Sequence, residues 1–366
     1  MRQRFRLAVA ALGRTPRLVP GMRGAALLAA LALAACASPA APAAPAPAGG
    51  SGAAAPAAAP PTDTPAPPPR EAVRIPYSAL SVSMLPHFLA YDAGLYEREG
   101  LDVTMDYVAT STVLTPAMLS GEVAFADSSP EAVMAADLQG GDLVVVGGGL
   151  DRALYWLMGA PGQGGGDALR GKRVGITRFG SISDTVARAY IPTIGLEPDR
   201  DVTILQLGGY PEIVGALQSG ALDAGVISPP NVFQARQNGA VELADLTKLD
   251  MPLYQSALVS SRHLLAERPD LARRVLRAYA GGWRLLGDEG LGVAALKRWT
   301  RESDDQIALD TYRVGAPRFP ETPIPSAEPL RRGLESLAAK EPAARGATAE
   351  QFVAPELMTE IWGQMP

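Results

Sequence analysis

Ser120-Gly121-Glu122-Val123-Ala124-Phe125-Ala126-Asp127-Ser128-Ser129-Pro130 returns 99 residues later as Ser219-Gly220-Ala221-Leu222-Asp223-Ala224-Gly225-Val226-Ile227-Ser228-Pro229. The same offset carries Asp102-Val103-Thr104 onto Asp201-Val202-Thr203, and Ala90-Tyr91 onto Ala189-Tyr190. Each copy reads as a helix, a short Asp-Val-Thr strand, a helix ending in Ser-Gly, and an apolar strand running into a Ser-Pro loop. That order is the cadence of an α/β unit with a parallel sheet, used twice. Two unrelated α/β modules can share such punctuation by chance, and the expected architecture is the same on either account.

Outward from the repeat, the chain before it bears on location. Residues 1–24 carry six arginines and no acidic residue, and the apolar run Ala25 to Ala35 follows. This run is too short to span a bilayer but suits the hydrophobic region of a secretory signal. It ends in Leu33-Ala34-Ala35-Cys36, which resembles the bacterial lipobox and implies a diacylglyceryl group on Cys36. Cys36 is the only cysteine, so no internal disulfide can form. Residues 37–70 are almost wholly Ala, Pro, Gly, Ser and Thr, a composition that cannot bury enough apolar surface to fold. The expected domains are a lipoprotein signal peptide at 1–35 and an Ala/Pro-rich disordered tether at 36–70. Residues 73–160 with 251–366 form the first lobe and its C-terminal helices, and 167–250 the second lobe.

Without those six arginines the 33 basic residues fall to 27 against 38 acidic ones, a formal charge of −11. A body that acidic, with no basic stripe, is a poor nucleic-acid binder. No later stretch is apolar for long enough to cross a membrane as a helix.

Along the folded part, the pattern predicts a strand over 73–77, one helix over 85–98, and strands over 101–108 and 123–126. Strand 143–147 follows, with Gly159 to Gly166 as a crossing between lobes. The second lobe repeats this with strands at 173–176, 202–207, 224–227 and 241–243, and Leu253 to Val259 is the return crossing. The remaining hundred residues are helical in pattern.

Four phrases in order resemble a known family. Leu85 to Val103, with Phe88-Leu89-Ala90-Tyr91-Asp92-Ala93-Gly94-Leu95-Tyr96 at its centre, is similar to the opening signature of the solute-binding proteins of nitrate, sulfonate, taurine and thiamine-pyrimidine-precursor ABC importers. Leu169 to Gly175, Gly195 to Val202 and Ala216 to Ala224 resemble its later segments. The resemblance implies the type II periplasmic-binding-protein fold: α/β, two Rossmann-like lobes joined by two crossing strands, with C-terminal helices. It also implies an extracytoplasmic, lipid-anchored or periplasmic monomer that binds a small, anionic, sulfonate-like ligand and hands it to an ABC permease in the cytoplasmic membrane.

In open parallel sheets, ligands sit beyond the carboxyl ends of the strands, where loops meet helix N-termini. The loop residues there are Ser81, Ser83, Ser111, Thr112, Asp127, Ser128, Ser129, Arg178, Phe179, Gly180, Ser181, Tyr210, Ser228 and Asn231. They are rich in hydroxyls and glycines, and Gly180-Ser181 opens a helix whose free N–H groups favour a negative group. Arg178 would add a two-pronged contact, or else serve as a solvated loop charge or inter-lobe ion pair. Ser181 and Ser183 suit helix capping as well as ligand contact. Tyr210, Phe179, Tyr77 and Tyr254 offer flat faces to an organic ligand or pack in the core and rim. Asp127 binds a cationic or hydroxylated group, or fixes its own loop. His87 reads as a buried or rim residue.

No catalytic, cofactor or metal constellation stands out. His87 and His263 lie in unrelated segments, and no His, Cys and carboxylate cluster has ligand spacing. Some relatives on this fold make the thiamine pyrimidine with a cysteine-rich motif absent here. Others process menaquinone precursors without a secretion signal. The expectation is therefore a binding protein, with a ligand-sensing lipoprotein for a membrane receptor kinase as the alternative.

Overall fold

The computed structural model describes residues 69–164, 169–338 and 342–366. The expected signal peptide, Cys36 and residues 37–68 of the expected tether lie outside the described residues.

Strand β1 (Glu71–Arg74) pairs in parallel with β2 (Leu101–Thr104). Strand β3 (Ala126–Ser128) joins them through bridges from Tyr77 to Tyr107 and to Asp127. Strand β10 (Ala257–Ser261) lies antiparallel between β3 and β4 (Leu143–Gly147). Taken together, the first-lobe order is β2-β1-β3-β10-β4. The second sheet is a copy of that order, β7-β6-β8-β5-β9, built from β6 (Arg173–Ile176), β7 (Thr203–Gln206), β8 (Ala224–Ile227) and β9 (Val241–Asp245). Its antiparallel strand is β5 (Trp156–Gly159). Each half thus lends the other one antiparallel strand.

This moves the expected crossing. Trp156–Gly159 already pairs with β8 and β9, so the chain changes lobes over residues 148–155, upstream of the glycine-rich stretch. The return crossing lies at 251–256, because Ala257–Ser261 is back in the first sheet. The two crossings run side by side: Leu253 N–H donates to Asp151 O (3.1 Å) and Gln255 N–H to Leu150 O (2.7 Å). They approach so closely that a Cβ at Gly149 would stand 1.7 Å from Ser256 O.

The repeat is physical as well as textual. Helices α3 (Ser111–Leu119) and α6 (Tyr210–Gln218) begin and end 99 residues apart. Both are closed by a serine, Ser120 or Ser219, followed by a glycine at positive φ, Gly121 (78°) or Gly220 (72°). Only glycine adopts that conformation without strain, so it stops the helix and turns the chain into the next strand. The Asp-Val-Thr echo is out of phase. Leu101 stands opposite Glu71 and Thr203 opposite Arg173, so β7 begins two residues after Asp201.

The expected helix over 85–98 is two helices, α1 (Leu85–Asp92) and α2 (Leu95–Arg98), parted by Gly94 at φ 66°. Helix α4 (Pro130–Asp137) follows β3, and α5 (Ile182–Tyr190) and α7 (Asn231–Gln237) flank the second sheet. The C-terminal part is helical as expected. Its helices are α8 (Arg262–Glu267), α9 (Pro269–Arg284), α10 (Glu289–Thr300), α11 (Asp305–Gly315), α12 (Glu328–Ala338) and α13 (Glu356–Gln364). Leu276 and Tyr279 of α9 bury against Phe125, Val146 and Leu258, which ties this tail to the first sheet. Among the described residues no helix is long and apolar enough to cross a membrane.

Candidate functional site

The order of strands dictates where helices start. In both sheets a parallel strand runs into a loop and then a helix, so helix N-termini collect along the strand ends. Thr110 and Ser111 open α3, Ser129 precedes α4, Ser181 to Ser183 open α5, and Gly209 and Tyr210 open α6; all of them line one cavity. Ser78, Ala79, Tyr107, Tyr155, Thr177 and Gln255 complete the wall. The cavity measures about 40 Å3, room for about three waters. Among the described residues, no Lys, Arg, Asp or Glu lines it.

The hydroxyls are bonded to one another. Thr177 Oγ1 lies 2.9 Å from both Ser181 Oγ and Ser183 Oγ, and Thr177 N–H donates to Ser183 Oγ at 2.9 Å. Tyr155 and Tyr210 join their hydroxyls at 2.8 Å across the wall. Gln255, on the return crossing, donates to Ser228 Oγ (2.8 Å) and accepts from Leu154 N–H (3.0 Å). Thr110 holds φ 69° and ψ 145°, a conformation that costs a non-glycine residue roughly 1–3 kcal/mol. Such strain concentrates at functional positions.

Of the residues singled out from sequence, Ser111, Ser129, Ser181, Ser183 and Tyr210 line the cavity. Thr112 stands behind Thr110, their hydroxyls 3.1 Å apart. Ser81 and Ser228 bond each other at 3.0 Å beneath the cavity, and Asn231 Nδ2 donates to Leu80 O (3.3 Å), so these three close the seam between lobes. Ser83 and Ser128 are buried with unpartnered hydroxyls and do not line the cavity.

The loop at 178–180 departs from expectation. Gly180 N–H is already taken by Asp184 Oδ2 (3.0 Å), and Asp184 Oδ1 accepts from Arg188 Nε (2.7 Å). An acidic side chain in the first turn of α5 therefore fills the anion position at Gly180. Arg178 is half-buried outside the lining, Phe179 is 47% exposed, and Ser181 donates to Arg178 O (2.7 Å) instead of capping the helix. Tyr77 packs on Phe88 and Trp299, and Tyr254 accepts from Ser326 N–H (2.9 Å), so neither reaches the cavity.

Asp127 is fully buried in β3, below the site, with neither oxygen bonded; the hydroxyl of Ser256 nearby donates to Ser83 O (2.7 Å). Burial pushes its ionisation up to about 8. His87 is wholly buried: Nε2–H donates to Ile75 O (3.1 Å), which leaves Nδ1 to accept from the Tyr96 hydroxyl (2.8 Å). Burial lowers its pKa to about 4.

Glu131 escaped the sequence reading, as did Ser78, Tyr107, Thr110, Tyr155 and Gln255. It follows Ser129-Pro130 and reads as an ordinary acidic residue in a helix first turn. In the fold it is buried behind the cavity wall, where its Oε2 accepts from Ser129 Oγ at 2.7 Å. Burial pushes its ionisation up to about 7. Among the described residues no group of His, Cys, Asp and Glu could hold a metal ion.

Known proteins share this architecture. The solved aliphatic sulphonate binding protein SsuA of Escherichia coli superposes with a TM-score of 0.62 at 19% identity, over 78% of this chain and 92% of that one. The nitrate-binding protein NrtA of Synechocystis PCC 6803 gives 0.67 at 14% identity, over 81% and 89%. The riboflavin-binding protein RibY of Chloroflexus aurantiacus is 30% identical over 237 residues, 62% of this chain. A protein of Brachyspira hyodysenteriae named as an ABC transporter periplasmic binding protein is 24% identical over 147 residues, 40% of this chain. The chain spans 66% and 42% of the lengths of these two curated relatives. The family model described as NMT1/THI5 like matches residues 81–289. With more than half its length under that model and the periplasmic-binding-protein fold in both sheets, the chain belongs to the NMT1/THI5-like family.

Proposed function

We propose that this protein is a non-catalytic, extracytoplasmic solute-binding protein that closes two lobes over a small organic anion and delivers it to an ABC permease. The observation that carries this reading is the convergence of α3 from one lobe with α5 and α6 from the other on a single hydroxyl-walled cavity. Helix N-termini present N–H groups and positive dipole ends, which favour an acceptor-rich group. With no cationic side chain in the lining, the site suits a singly charged sulfonate or carboxylate better than a phosphate dianion. A second reading, a neutral planar heterocycle, draws on Tyr107, Tyr155 and Tyr210 around the cavity and on the likeness to a riboflavin-binding protein.

Calorimetric titration of the full chain with alkanesulfonates, taurine, nitrate, pyrimidines and riboflavin tests both. An anionic ligand should lose about 1.5–3 kcal/mol in the Ser111→Ala variant, whose hydroxyl would bond a charged group. Unchanged affinity rejects the site, and a folded chain that binds none of them rejects the function. The anchor reading expects Cys36→Ser to move the protein from the membrane pellet to the soluble fraction; retention in the pellet refutes it.

A further inference from the structure

Glu131 is a buried carboxyl with no cationic partner among the described residues. Its side chain takes a bond from Ser129, which lines the cavity, and one from its own backbone N–H. Among the described residues, the elements packed on α4 supply no compensating charge. Helix α3 and strands β4 and β10 contain no charged residue. The charged residues of α12 are Glu328, Arg331, Arg332 and Glu335. Their ion pairs are Arg152–Glu328, Arg331–Glu350 and Arg332–Glu335, all exposed. Glu350 is also the one charged residue of the turn at 349–352. On α4 itself, Asp137 at the far end pairs with Arg262. Tyr155 is near enough to feel Glu131, and burial keeps its hydroxyl protonated.

Hydrogen-bond direction then follows from the proton count. A hydroxyl has one hydrogen to give. When Glu131 is ionised, Ser129 spends that hydrogen on the carboxylate, and Ser129 Oγ offers the cavity lone pairs only. When Glu131 is protonated it can donate to Ser129 Oγ, and the serine hydrogen is free to turn to the ligand.

We infer that Glu131, acting through Ser129, is a positioning residue that makes this end of the cleft an acceptor, so that the ligand presents an ammonium, amide or imide N–H there. This rests on the solute-binding reading above and adds a second requirement to it: the solute has an acceptor end at the helix N-termini and a donor end at Ser129. A solute with acceptors alone binds against the polarity of the ionised site.

The test compares matched probes that differ only in the donor, on the full chain, by calorimetry at about pH 6 and about pH 8. Taurine is set against 1-propanesulfonate, and riboflavin against 3-methylriboflavin. In the wild type the donor-bearing member of a binding pair should be favoured about tenfold at the higher pH, and the preference should shrink at the lower. Glu131→Gln, uncharged at every pH and able to donate to Ser129 Oγ as the protonated acid can, should weaken the preference and abolish its pH dependence. Ser129→Ala, a smaller change, should do the same if Glu131→Gln fails to fold. Equal binding within a pair, or a preference undiminished in both variants, overturns the role of Glu131 and leaves the solute-binding reading intact. A folded chain that binds neither pair overturns that reading, and this inference with it.

Discussion

Asp127 faces no donor, so the fold tolerates it only by holding it protonated. Its ordinary value is 3.8 and the folded value is about 8. A raised carboxyl binds its proton more tightly folded than unfolded. Its contribution to stability is therefore complete below the lower value and is lost as pH rises through the higher one. His87 runs the other way, with a pKa near 4 against 6.5, and lowers stability as the solution is acidified. Asp127→Asn isolates the first effect, since His87 and Glu131 are common to both proteins. The variant should gain on the wild type steadily between about pH 4 and pH 8, by a few kcal/mol at the upper end. Urea unfolding at several pH values reads the difference; a gap that does not widen with pH refutes the protonated state of Asp127. The same residue shows where sequence reading stops. Ser129, Ser181 and Tyr210 were legible as strand-end and helix-start residues, because their place in the α/β cadence is local. Whether Asp127 or Glu131 faces solvent, ligand or core depends on which distant segments pack over it, and no local pattern carries that.

At the scale of elements, the repeat was the most legible feature because its signals are backbone requirements. Gly121 and Gly220 end equivalent helices at positive φ, and a serine precedes each, bonded through its hydroxyl to Ala117 O or Ala216 O. The loops were less legible. Six residues separate β2 from α3 but three separate β7 from α6, so a strictly constant offset puts Asp102-Val103-Thr104 in the wrong register. Strand membership was not legible at all for β5 and β10. An apolar stretch such as Trp156-Leu157-Met158 reads alike in either sheet, and only pairing with β8 and β9 assigns it. What settles the crossing is steric: a side chain at Gly149 has no room beside Ser256 O, so the two connecting segments meet there and not at the later glycines.

For the whole molecule, the cavity volume decides which state is seen. About 40 Å3 admits water but not a sulfonate with an alkyl body or a tricyclic ring, so on the proposed solute-binding reading entry requires the lobes to part. The lobes are joined at the base by Val82 N–H to Pro229 O (3.3 Å) and by the Ser81–Ser228 pair, contacts beside the crossings that a rotation can preserve. Farther along, α7 of the second lobe reaches the C-terminal helices of the first. Gln234 Nε2 donates to buried Glu302 (2.6 Å) and Gln237 Nε2 to Asp304 (3.2 Å). These two bonds to carboxylates span the lobes without belonging to the cavity, which makes them a latch whose removal leaves the ligand contacts untouched. Together they contribute about 2 kcal/mol, on the order of thirtyfold in the ratio of closed to open forms. Gln234→Ala/Gln237→Ala should therefore enlarge the radius of gyration of the free protein in small-angle scattering and speed ligand association. It should also weaken affinity, because ligand must now supply the closing energy that the latch supplied. Saturating ligand should return the scattering curve to the compact form. A double variant that scatters like the wild type, with unaltered association and affinity, would show that α7 holds nothing shut and that closure resides wholly in the cleft.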